Sequence, residues 1–396
     1  MNLIILVLSF FSYTLYAKDL SHVYLYWNHE SLSTTMAIGV HMPINTKTLY
    51  VYLSKDKNAS TKASTRYSAF QSNCYPELAR CVHTFSLKDL LPHATYYFIL
   101  SDGKATIGTE RKFRTLAENS DIITMVSGGD LSTTPESKLL LAKAASYSPD
   151  LAVLGGDLAY DNGEIKNIGL WDSWLSNWEE SMITPDGFTI PMILAIGNHE
   201  VKGGWGATVS DATLFLKFFQ QQGNQTYFIR KLGKLALLMV LDTGHIASVE
   251  EQAPWILKTL AEYSNTPYRF AAYHVPLYPS HRSFENDQSA MLRKYWGPAF
   301  DQGLSFALEH HDHSLKRTHL IKANKRDDKN GILYLGDGCM GVEPRDVHTD
   351  SWYLVKAMSV GHFWLTKFSK QKTQMEALDM SGKVLDSTEI KNLKAM

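Results

Sequence analysis

Residues able to bind metal ions recur at the ends of apolar runs between Asp130 and His313. Asp130 follows IITMVSGG, Asp157 follows LAVLGG, Asn198-His199 follows PMILAIG, and Asp242 follows LALLMVL. His274 follows RFAAY, and His311-Asp312-His313 follows LSFALEH. Carboxylate and amide oxygens with imidazole nitrogens suit hard and borderline metal ions. Any one of these residues would serve equally well as a cap or a turn. Their return at the same place in run after run points instead to a shared site, because ligands of α/β sheets bind beyond the carboxyl ends of the strands.

The elements that must carry these residues are legible in the pattern. From Asp121 onward, continuous apolar runs alternate with amphipathic stretches, as in a sheet covered on both faces. Thr134-Pro135 reads as an N-cap followed by a first-turn proline, opening a helix whose apolar side is LLLAKAASY. WDSWLSNWEESM, ATLFLKFFQQ and APWILKTLAEY are further helix candidates, and the helical spacing of Trp171, Trp174 and Trp178 predicts a packing face. Residues 18–117 differ in texture. Short aromatic and β-branched runs such as VYLYWNH, TLYVYLS and ATYYFILSDG, separated by polar turns, predict a sandwich of about seven strands.

The motifs GGD130, GGD157LAY160, GNH199E, YH274VP and H311DH313 together resemble the calcineurin-like metallophosphoesterase superfamily, over roughly residues 121–345. Most members carry Asp-x-His in the first motif, where this chain has Ser132. Purple acid phosphatases instead place a tyrosine three residues after the second aspartate, and Tyr160 stands there. Residues 87–115, with LKDLLPHATYYFILSDG and a closing RKFRT, resemble the end of a fibronectin type III domain, with Tyr96 as its buried corner tyrosine. Purple acid phosphatases pair such a module with their catalytic domain. The resemblance implies an α/β (α+β) metallophosphoesterase sandwich at 118–396, preceded by an all-β fibronectin III-like domain at 18–117.

Carried over residue by residue, the resemblance implies that Asp130, Asp157, Tyr160 and His313 bind a first metal ion. Asp157 would bridge to a second, completed by Asn198, His274 and His311. A carboxylate and phenolate set suits Fe(III), and an amide with two imidazoles suits divalent Fe, Zn or Mn. Two such ions hold a phosphate ester and lower the pKa of a bound water. His199 would hydrogen-bond the phosphoryl group or protonate the leaving alkoxide. His281 stands near the place of a further substrate-facing histidine, or is a solvated loop residue. Arg317 takes the place of a family arginine, or is structural. Glu200 is a candidate for orienting a ligand, and Asp242 for capping its strand or doing the same. Two departures stand out: His310 replaces the usual glycine of the last motif, and Leu315 replaces a tyrosine.

The expected activity is hydrolysis of phosphate monoesters. A phosphodiesterase or nucleotidase using the same centre, and a non-catalytic binding protein retaining the fold, remain alternatives. The 396 residues, 44% of them hydrophobic, are ample for a large core, and the formal net charge of −1 gives no sign of a nucleic-acid partner. Residues 1–17, with an uncharged apolar run and Ala17 before Lys18, predict a cleaved signal peptide and a secreted or periplasmic protein. No segment is long and apolar enough for a stable membrane span. Cys74 and Cys81 suit a local disulfide and Cys339 a buried apolar position. Asn58-Ala-Ser and Asn224-Gln-Thr are glycosylation sequons. Oligomeric state is not legible.

Overall fold

The computed structural model describes residues 22–46, 48–58 and 64–392, so the segment 1–17 read as a signal peptide lies outside the described residues. Two large sheets dominate. One has ten strands, in the order Val384–Lys391, Lys372–Leu378, Phe363–Ser369, Ile122–Gly128, Leu151–Leu154, Met192–Leu194, His22–Tyr26, Met36–Pro43, Arg80–Leu87, Gln71–Tyr75. The other has seven, in the order Phe228–Leu232, Ala236–Val240, Tyr268–Ala272, Phe306–Leu308, Leu333–Gly336, Leu315–Thr318, Leu354–Met358. The centre of each sheet is parallel.

Because alternate residues of a strand face opposite sides, each sheet buries two faces. Met125, Val153 and Ile193 of the first sheet share one core with Leu238, Phe270 and Leu335 of the second. The other face of the first sheet, with Val126, Ala152 and Leu194, packs on helices Pro135–Ala145 and Ile168–Ser181. Trp171, Trp174 and Trp178 lie buried there, as their spacing predicts. Met239, Ala271 and Tyr334 face helices Val249–Glu262 and Asp287–Tyr295. The result is helix, sheet, sheet, helix. Thr134 caps the first helix, accepting from the Ser137 N–H at 3.1 Å.

The N-terminal segment forms two β layers, with eight strands among the described residues from His22 to Arg114. One layer comprises Thr65–Ser68, Tyr50–Ser54, Thr95–Ser101 and Thr106–Arg114. The other is not a separate sheet. His22–Tyr26 pairs in parallel with Met192–Leu194, with Tyr26 opposite Met192, so the first large sheet runs unbroken across the change of texture near residue 117. The apolar core is equally continuous: Leu25, Val51, Phe98 and Phe113 belong to the same cluster as Val153 and Phe270. Tyr96 is buried, and its hydroxyl accepts from the Leu91 N–H at 2.9 Å. Cys74 and Cys81 oppose one another on adjacent strands and are joined as a disulfide, while Cys339 is buried and free. Among the described residues no helix is long and apolar enough to cross a membrane.

Candidate metal centre

The polar residues at the strand ends meet at the carboxyl edges of the two facing sheets. Sharp turns bring them there. Asp130, Asp157, Tyr160, His311 and His313 all have positive φ, at 55°, 53°, 61°, 79° and 57°. Side chains rarely adopt this backbone, and such strain concentrates where surrounding structure holds a functional geometry. The turns turn five side chains back toward one point instead of letting the strands run on.

Two donor sets result, and they share Asp157. Asp157, His274 and His311 form one; Asp130, Asp157 and His313 form the other. In the first, His274 Nε2 lies 3.1 Å from Asp157 Oδ2, 3.1 Å from Asn198 Oδ1 and 3.0 Å from His311 Nδ1. In the second, His313 Nε2 lies 3.1 Å from Asp130 Oδ1 and 3.3 Å from the Tyr160 hydroxyl. Every residue predicted as a ligand is therefore at the centre.

The atoms that converge are lone-pair donors facing one another, an arrangement that asks for a cation. His274 Nδ1 hydrogen-bonds the Gly155 carbonyl at 2.9 Å, which turns Nε2 toward Asp157, Asn198 and His311. Asp130 Oδ1 is buried, with His313 Nε2 3.1 Å away. The electrostatics agree. Burial opposes charge on His274, but Asp157 and Asp130 outweigh it and push its pKa up to about 9. Burial likewise raises Asp130, yet His313 and His274 hold it down to about 2. Burial, then the charges of Asp130 and Asp157, push the Tyr160 phenol well above its ordinary value. The carboxylates thus create a demand for positive charge that two metal ions would meet, and a cation beside Tyr160 would favour its phenolate.

Buried partners hold these ligands in place. Glu200 accepts from the N–H groups of Asp157 and Gly197, both at 2.8 Å, and of Leu158 at 2.7 Å. Burial first, then the charge of Asp157, pushes its carboxyl up to about 8. Asp312, between the two histidine ligands, takes Arg282 Nη1 at 2.5 Å and the N–H groups of Ser280 and His281 at 2.8 and 2.7 Å. Asp242 closes its loop by accepting from His245 N–H at 2.7 Å and Ala247 N–H at 2.9 Å, a capping role.

His199 is the accessible member, with its side chain 34% exposed. Its ring lies 4.3 Å from that of Tyr160, and its N–H donates to Asp157 Oδ1 at 2.8 Å. Nδ1 is hydrogen-bonded to Asn162 Oδ1, and Nε2 lies 3.9 Å from Asp157 Oδ2. His281 places Nδ1 on the Asp346 carbonyl at 2.7 Å, adjoining the histidine-bearing loop through Asp312. Arg317 pairs with Asp386 at 2.7 Å, a structural role. Leu315 is buried in the common core. Asn162, Arg282, His245 and Trp205 carry no motif and were not singled out from sequence. Only Asn162, two residues after Tyr160, had a positional signal.

No protein-family model matches the chain. Among curated proteins it is similar to purple acid phosphatase 15 of Arabidopsis thaliana, 24% identical over 286 residues, 65% of this chain and 53% of that protein. It is similarly close to the probable purple acid phosphatase 20 of the same plant, 24% identical over 261 residues, 63% of this chain and 58% of that one. The chain spans little more than half the length of these relatives. Among solved structures, the purple acid phosphatase PPD1 from yellow lupin (Lupinus luteus) seeds superposes with a TM-score of 0.79 at 18% identity, covering 95% of this chain and 75% of that one. PhoD does so with a TM-score of 0.69 at 14% identity, covering 94% and 93%. The chain therefore has a purple acid phosphatase-like metallophosphoesterase fold.

Proposed function

We propose that this chain is a metal-dependent phosphohydrolase that cleaves phosphate monoesters at a two-metal centre. The observation that supports this most directly is the pair of donor sets sharing Asp157. Asp130, Asp157, Tyr160 and His313 would hold a ferric ion, and Asp157, Asn198, His274 and His311 a divalent Fe, Zn or Mn ion. When bound, the two ions supply positive charge to the phosphoryl oxygens and lower the pKa of a water.

The chain's own residues do the rest. His274 and His311 keep ring nitrogens directed at the centre. Glu200 fixes the backbone of Asp157, so the shared carboxylate cannot swing away. Asn162 fixes the ring of His199, whose Nε2, when the imidazole is protonated, would hydrogen-bond the ester and deliver its proton to the departing alkoxide, leaving the neutral ring. His281, on the neighbouring loop, would be a further substrate-facing group. The N-terminal β layers, read as a fibronectin type III-like module, would brace the first sheet. Residues 1–17 fit export to an oxidising compartment, where the Cys74–Cys81 disulfide would persist.

Turnover of an aryl monophosphate compared with the corresponding bis-ester tests the reading. Hydrolysis of the monoester, dependent on metal and lost in Asp157→Ala, is expected. Cleavage of the bis-ester alone would transfer the centre to diester chemistry.

A further inference from the structure

Beside the donor set of Asn198, His274 and His311 lies a pocket of about 320 Å³ that none of the predicted site residues lines. Its walls are the Trp205 loop, the segment from Thr243 to Val249, and Met291 of helix Asp287–Tyr295. Trp205 joins pocket to centre. Its ring stands edge-on to His311 with centroids 5.8 Å apart and lies against His245 at 4.5 Å, tilted by 33°; the His245 ring is in turn 5.7 Å from that of His274.

The pocket is built, not incidental. The Trp205 loop is tied down on both sides: Gly206 N–H donates to the Gly244 carbonyl and Ala207 N–H to the His245 carbonyl, each at 2.9 Å. His245 Nδ1 donates to the Gly204 carbonyl at 2.7 Å, and its Nε2 accepts from Thr243 at 2.9 Å. Gly244, with φ 97°, leaves the floor bare, since a Cβ there would meet Val249 Cγ2 at 3.5 Å and Met291 Cε at 3.9 Å. Trp205 and Met291 remain 36% and 38% exposed in spite of their size. Keeping apolar surface in water is unfavourable unless something covers it.

We infer that this pocket receives the alcohol half of the substrate, and that the substrates it favours are monoesters of uncharged aromatic alcohols. The inference rests on the phosphohydrolase reading and deepens it. Three features select this chemistry. No lining residue carries a charge, so a charged leaving group would lose its hydration without a partner. An indole fixed at the rim offers a flat surface for an aromatic ring. The volume exceeds the roughly 150 Å³ that suffices for benzene. Trp205 is thus a specificity-determining residue, and Gln288 offers a neutral hydrogen-bonding group to the ring's substituents.

Calorimetric binding of phenylphosphonate, methylphosphonate and inorganic phosphate to the metal-loaded full chain separates this inference from the reading beneath it. The wild type should bind phenylphosphonate at least tenfold more tightly than methylphosphonate. Trp205→Ala should bring that ratio close to one, and Met291→Gln, a milder change on a separate element, should lower it about threefold. A wild-type ratio within twofold of one, or a ratio kept in both variants, would overturn the pocket assignment while phosphate binding leaves the centre intact. If none of the three anions binds, the phosphohydrolase reading falls and takes the pocket with it.

Discussion

The imidazole of His310 fills the space that a side chain on Gly155 would need: a Cβ built there would lie 1.8 Å from His310 Nδ1. Gly129 is similarly crowded, its Cβ falling 2.6 Å from His310 Cδ2. The two GGD motifs therefore lack side chains where the last motif has gained one. His310 is held there by its Nδ1 contact with the Tyr273 carbonyl at 2.8 Å. Gly155→Ala should accordingly destabilise the fold by about 2 kcal/mol or more, the scale of an overpacked core. His310→Gly should recover part of that loss in the double variant, with a coupling energy of about 1–3 kcal/mol in chemical denaturation. Strict additivity of the two changes would contradict the packing relationship.

Much of the centre is legible along the chain because ligands at strand ends announce themselves locally: an apolar run, a glycine turn, a polar residue. The same holds for the Thr134 cap and the tryptophan face. What depends on distant partners is not legible. His310 reads as a departure until Gly129 and Gly155 are seen beneath it. The sheet that joins His22–Tyr26 to Met192–Leu194 hides behind a change in texture near residue 117, because strand order is set by pairing across the fold. The strands Phe363–Ser369 and Lys372–Leu378, which pair outward from Ile122–Gly128, have no motif to mark their place. Trp205 approaches His311 only once two loops are folded together.

Glu200 satisfies three buried N–H groups around Asp157. Glu200→Ala leaves them without acceptors, and about 3 kcal/mol of stability should be lost, since an unsatisfied buried donor costs roughly 1–3 kcal/mol. Metal affinity should fall at the same time, because Asp157 serves both donor sets. A variant of unchanged stability and metal content would show that Glu200 is not what holds this loop.

His22 sits between Asp172 and Glu179, with Nε2 at 3.4 Å and Nδ1 at 2.9 Å from their carboxylates, and Arg80 pairs with Asp172 at 2.6 Å. His41 is the further ring packed on it, at 5.6 Å. Burial lowers the His22 pKa, but hydrogen bonds and charge from Asp172 and Glu179 outweigh it and raise it. For Asp172, burial is outweighed by Arg80 and His22, and its pKa is depressed. The stability from His22 is therefore full below its unfolded pKa of about 6.5 and is lost as pH rises through the raised folded value. That from Asp172 is present above about 3.9 and lost as pH falls through the depressed value. Denaturation of His22→Gln against pH should show a flatter decline above pH 6.5 than the wild type; identical slopes would remove His22 from the linkage.

Tyr160 lies at the donor set of Asp130, Asp157 and His313, 3.3 Å from His313 Nε2. A ferric ion bound to its phenolate should give the purified protein a visible absorption band. Tyr160→Phe should remove the band while the ion held by Asn198, His274 and His311 stays. An unchanged spectrum in the variant would take the tyrosine out of the metal centre.

The central claim is that Asp157 joins two donor sets, and metal content per chain tests it most directly. After purification and reconstitution, the wild type should hold two ions, Asp130→Ala one, and Asp157→Ala fewer than one. A wild type that saturates at a single ion, or an Asp157→Ala variant that still holds two, would contradict it.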